Sequence, residues 1–182
     1  MGMWITIGII AVLVIAAIAI YNNLVRCRKE VDNGWAQIDV QLKRRCDLIP
    51  NLVNTVKGYA AHEQAALDSV TAARAQLAGA TTVGEKAEAD SALTAALNNL
   101  LVIVENYPDL KASANFTQLA DELAGTENRI AVARRDYNAA VESYNAAIRK
   151  FPGNLVAGLF GFEKKDFFQA SANAQDVPSV QF

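Results

Sequence analysis

One histidine and two cysteines in 182 residues leave little material for reactive chemistry. A zinc site of the His-Glu-x-x-His kind needs two imidazoles on one helix face. The single histidine opens His62-Glu63 and is followed by Ala65 and Ala66. A Cys–His nucleophile pair needs contact, whereas Cys46 and His62 sit on what reads as one helical segment, about 24 Å apart if it is straight. Cys27 and Cys46 are separated by about 28 Å on the same argument, so no disulfide is expected and both thiols suit a reducing compartment. The chain also lacks a glycine-rich phosphate loop, a Gly-x-Ser-x-Gly elbow and any Cys-x-x-Cys. No catalytic, cofactor-binding or metal-binding residue is assigned, and no enzymatic activity is expected. Basic residues are not in excess: 17 Lys and Arg against 19 Asp and Glu give a net charge of -2, which argues against a nucleic-acid partner.

Apolar residues, at 52%, are abundant but unevenly spread. The run Met3 to Ile20, "MWITIGIIAVLVIAAIAI", has no charge and one hydroxyl, Thr6. As a helix it rises about 27 Å, close to the roughly 30 Å hydrocarbon core of a bilayer, and Tyr21 adds an interfacial ring. A membrane anchor over 1–21 is the reading, with the lipid bilayer as a partner. A cleaved signal peptide is the rival: Ala17-Ile18-Ala19 offers small residues for cleavage, but only Met1 and Gly2 precede the run, without side-chain charge. A lipoprotein site at "LVRC" is weaker, because Arg26 stands where a small residue is wanted. Arg26, Arg28 and Lys29 follow the span, so the positive-inside rule sets the N-terminus outside and the helical domain in the cytoplasm.

Beyond the span the pattern is helical. Leu24, Val31, Trp35, Ile38 and Leu42, then Ile49, Leu52 or Val53, Val56 and Tyr59, fall at steps of three, four and seven, predicting a helix over about 22–78. Pro50 interrupts it, removing the hydrogen bond to the Cys46 carbonyl and predicting a bend near 50. "GATTVGE" reads as a turn before a second helix at 85–107. A third, at 111–151, carries the most regular seam. From Phe116 through Leu123, Ile130, Tyr137 and Tyr144 to Phe151, heptads repeat five times, as in coiled-coil packing. Tyr137-Asn138 and Tyr144-Asn145 repeat one heptad apart, which suggests rings in the seam with hydroxyls bonded to a partner helix. The carboxylates near Lys43, Arg44 and Arg45 are spaced for pairing on a solvated helix face: Asp39 with Lys43, and Lys43 with Asp47. An intersubunit or lipid-headgroup role for the three cations is the sharper alternative.

After Phe151 the character changes. Phe151 and, in a short extension at 152–182, Leu155, Leu159, Phe160, Phe162, Phe167 and Phe168 form a candidate interface. Three fates are open to it: cover for the bundle, a subunit contact, or contact with the membrane surface. The closing "DVPSVQF" has the pattern of a short edge strand.

"YNNLVRCRKEVDNGWAQIDVQLKRRCDLIPNLVNTVKGYAAHE", "ENYPDLKASANFTQLADELAGTENRIAVARRDYNAAVESYN", "FPGNLVAGLFGFEKKDFF" and the final "VPSVQF" together resemble the LemA family of bacterial membrane proteins. The likeness covers nearly all of the chain after the span. Cys27 and Cys46 depart from it, standing where an aliphatic or polar residue and an aromatic one are expected. The resemblance implies an all-α fold, with a transmembrane helix followed by an antiparallel bundle of long helices over 22–151, and it implies no established activity. The span, the five-heptad seam and the apolar run after Phe151 lead to the expectation of a single-pass protein of the bacterial inner membrane acting as a self-associating scaffold. The alternative is an adaptor for a membrane enzyme, a sensor or a peptide.

Overall fold

Helix begins in the apolar run and continues far beyond it. In the computed structural model, which describes residues 2–60 and 62–169, α1 covers Gly2–Lys57 without a break. It is followed by α2 (Gln64–Gly79), α3 (Val83–Val104), the single turn α4 (Pro108–Lys111), α5 (Ala114–Ala147) and α6 (Gly153–Phe160). The fold is all-α, and no strand occurs among the described residues. The expected edge strand at "DVPSVQF" lies outside them.

The two halves of α1 have different surroundings. Residues 2–19 are exposed throughout, whereas from Leu24 onward one stripe is buried: Val31, Ile38, Leu42, Ile49, Leu52 and Val56. Against that stripe α5 runs antiparallel, with Tyr137 beside Gly34 and Glu122 beside Arg44. The two helices approach closely at Gly34, where a Cβ would lie 3.2 Å from the Tyr137 Cα, so a larger residue would push them apart. Helix α2 folds back on the end of α1, and α3 returns parallel to it, with Lys86 paired to Asp39 and Asp90 to Arg45. Leu67, Val70, Leu93, Leu100, Ile130 and Val141 complete a core shared by the four long helices.

The expected 22–78 helix is two helices. The chain leaves α1 after Lys57, at Gly58, and turns through bonds from Tyr59 and Ala60 to the Val56 carbonyl and from Glu63 to Ala60. The apolar stripe hid this turn because both helices present their apolar faces to the same core; Tyr59, counted on the stripe, is exposed. Helix α3 starts earlier than expected, because Thr82 and Glu85 form a reciprocal capping box inside the presumed turn. The expected third helix is interrupted between Lys111 and Ala114, and Phe151 lies beyond the end of α5.

Candidate functional site

The structure offers surfaces and a docked segment. Among the described residues no group of three His, Cys, Asp or Glu is placed to hold a metal ion. His62 lies exposed in the α1–α2 turn, while Cys46 is buried on α1. Burial pushes the Cys46 thiol above its ordinary value, although Arg74 beside it pulls the other way, and this makes it a poor nucleophile.

Pro50 and its surroundings are settled by hydrogen bonding. Lacking an N–H, it leaves the Cys46 carbonyl without its helical donor. Arg74 of α2 supplies one: its Nε donates to that carbonyl at 2.9 Å. The gap in one helix thus becomes the attachment point of the next, and α1 continues for another two turns to Lys57.

Arg45 is not on a solvated face. It is 2% exposed, and its guanidinium donates to the Asp90 carboxylate at 2.7 Å and reaches Glu127 at 3.5 Å, tying α1 to α3 and α5. Burial lifts the Asp90 carboxyl above its ordinary value, with the adjacent Arg45 opposing. Arg44 and Lys43 are exposed, Arg44 facing Glu122 and Lys43 pairing with Asp47, both at 3.6 Å; Asp39 pairs with Lys86 of α3 and not with Lys43.

The seam residues Ile130, Tyr137 and Tyr144 are buried within their own bundle. The tyrosine hydroxyls do not reach a partner helix. Tyr144 donates to the Glu163 carbonyl at 2.9 Å and Tyr137 to the Asp166 carbonyl at 2.8 Å. Each following asparagine brackets a residue: Asn145 donates to the Lys165 carbonyl and accepts from its N–H, and Asn138 does the same for Phe168, at 2.9 to 3.1 Å. One heptad of helix rises about 10.5 Å, and three extended residues span about 10 Å. The Tyr-Asn repeat therefore matches a backbone read in steps of three, antiparallel to α5. Burial holds both hydroxyls above their ordinary pKa, so they stay donors.

That ladder divides the candidate interface. Phe168 is 1% exposed, beside the rings of Trp35 and under Arg134, and Phe162 and Phe167 are half-buried against the core. Phe151, Leu155, Leu159 and Phe160 face outward. Helix α6 presents its other side, Val156 and Ala157, to Leu24 of α1. Gly161, left-handed at φ 69°, closes α6 by returning the Phe162 N–H to the Ala157 carbonyl. Only the heptad spacing of the Tyr-Asn pairs signalled this arrangement in the sequence.

A second surface is an open groove of about 580 Å³ between α1 and α5, lined by Ala36, Gln37, Val40, Gln41, Asn128, Arg129, Val132 and Ala133. Val40 and Val132 are exposed there.

The family model described as LemA family matches residues 34–182. Protein LemA of Metamycoplasma hominis is 32% identical over 155 residues, covering 82% of this chain and 69% of that protein. Magnetosome protein MamQ 1 of Paramagnetospirillum magneticum is 27% identical over 186 residues, 88% of this chain and 68% of its own. Magnetosome protein MamQ of Magnetospirillum gryphiswaldense is 26% identical with the same coverage. With these relatives and an exposed apolar half of α1, this is a membrane-associated helical protein.

Proposed function

The chain belongs to the LemA family, and from that premise and the bundle's surfaces we propose that it is a single-pass, membrane-anchored scaffold that self-associates in the plane of the bilayer. The observation that carries the proposal is the α1–α5 groove. It follows the flank of the helix that enters the membrane, so a neighbouring copy anchored at the same height meets it side-on. Exposed Val40 and Val132 supply an apolar centre, and Gln37, Gln41, Asn128 and Arg129 a polar border, as at subunit contacts. The heptad seam no longer supports self-association, since α1 of the same chain occupies it. The role is proposed as structural and not enzymatic. Arg26, Arg28 and Lys29 after the span favour a cytoplasmic bundle at a bacterial inner membrane, with the N-terminus outside.

A photo-crosslinking residue at Val132, in the full chain in native membranes, tests this. Adducts at twice the monomer mass are expected. Repeated capture of one other membrane protein, with no self-adduct, would favour the adaptor alternative. A monomer with no adduct would refute both.

A further inference from the structure

We infer that α6 is an interfacial helix whose outward face, Leu155, Leu159 and Phe160, lies together with Phe151 just before it in the boundary layer of the bilayer that α1 enters; this rests on α1 being a membrane anchor. Three observations point to lipid as the occupant. The first is height. The segment leading into α6, Phe151 to Gly153, shares a cleft with Ala19, Ile20 and Asn23, while the last residue of the helix, Phe160, packs on the Tyr21 ring at 4.8 Å. The middle of α6, Val156 and Ala157, packs on Leu24 of α1. The helix therefore sits level with the last residues of the apolar span and the turn that follows them.

The second observation is the division of faces. Leu24, Val156 and Ala157 form a small buried cluster separate from the main core, which fixes α6 to α1. Phe151 and Leu159 are each 79% exposed on the other side. A helix docked this firmly by one face, yet this apolar on the other, at the foot of a membrane span, continues the apolar surface of that span sideways.

The third is the border. Tyr21 touches both Phe160 and Phe162, at 4.8 and 5.7 Å, forming an aromatic group at the depth where such rings collect. Arg149 and Lys150 are exposed just before α6, where they can meet lipid headgroups. The protein would therefore be seated on the bilayer by α6 as well as tethered through it by α1, which restricts the tilt of the bundle.

Nitroxide scanning of the full chain, reconstituted in phosphatidylethanolamine–phosphatidylglycerol vesicles, tests the inference. Cys27 is replaced by serine and buried Cys46 is retained. Labels are placed singly at Ile10 in the span, at Leu155 and Leu159 on α6, and at exposed Ala131 on the bundle; all four side chains lie on the protein surface, so labelling leaves the core intact. The labels at 10, 155 and 159 are expected to be more accessible to oxygen than to a water-soluble nickel chelate, with the order reversed at 131. Nickel accessibility at 155 and 159 equal to that at 131, with 10 still in lipid, would overturn the inference and leave the anchor standing. Labels at 155 and 159 that are immobilised and shielded from both reagents would mean a protein contact and overturn it too. A water-exposed label at 10 would remove the anchor and the inference together.

Discussion

Removing the Arg74 donor should cost stability only while Pro50 is present. The Cys46 carbonyl is the acceptor that Pro50 cannot serve, and Arg74 Nε fills it at 2.9 Å. A hydrogen bond from a charged donor contributes about 1.5–3 kcal/mol, and an orphaned buried acceptor costs a similar amount. Arg74→Met keeps much of the aliphatic stem and deletes the donor, so it should destabilise by about 2 kcal/mol. Pro50→Ala restores a backbone N–H to the same carbonyl. In that background the Arg74 change should cost less by about 1–2 kcal/mol, a coupling that independent sites do not show. Urea unfolding of the full chain in mild detergent, followed by helical circular dichroism, gives the cycle; with slopes of about 1–3 kcal/mol per molar, the expected coupling moves the midpoint by about 1 M. Costs that add within about 0.5 kcal/mol would refute the reasoning. Arg74 would then attach α2 to α1 without answering the gap at Pro50.

The Tyr-Asn ladder predicts that Asn138→Ala with Asn145→Ala, which deletes four hydrogen bonds at about 1 kcal/mol each, speeds amide exchange at Lys165 and Phe168 by up to about a thousandfold; unchanged protection would show that Phe168 packing alone holds the segment. Asp90→Ala leaves buried Arg45 without its main partner and should cost about 3–5 kcal/mol in unfolding, whereas the paired change Arg45→Met with Asp90→Leu should recover most of that stability. Hydrogen bonds from the backbone N–H groups of Thr82 and Thr81 lower the Glu85 carboxyl to about 2 from an ordinary 4.5. Its contribution is therefore complete above about pH 4.5 and fades as the pH falls toward 2. The difference in urea midpoint between the native chain and Glu85→Ala should be constant near neutrality and shrink below that pH; a difference independent of acid would count against the capping box.

Helix content, the exposed N-terminal run and the long regular stripe of α5 were legible because periodicity records which face is buried. Periodicity does not record where a chain reverses. The stripes of α1 and α2 both point at one core, so the turn at Gly58 passed as continuation. The ion pair at the centre was legible in principle. Arg45 occupies a step on the stripe between Leu42 and Ile49, and Asp90 leads the series Leu93, Leu97, Leu100 and Val104, so each charge sits on a face otherwise apolar. Two opposite charges on two buried stripes imply each other. The partners of the Tyr-Asn pairs were not legible, because their ligand is main chain, and a backbone N–H or carbonyl leaves no mark on the identity of the residue that carries it.

That last point also says how the C-terminal segment finds its place. A ladder that binds only backbone groups, with a step of three residues, accepts any segment in extended form and is equally satisfied after a slip of three. Direction and spacing follow from it; register does not. Sliding the segment by three residues would bring Lys165 into the site that Phe168 fills between Trp35 and Arg134 and would expose the phenylalanine. A slip thus exchanges a buried aromatic ring for a buried ammonium, a cost large beside one hydrogen bond. The polar repeat on α5 and the single aromatic at Phe168 act together, the first holding the chain extended and the second choosing which residues lie on the ladder.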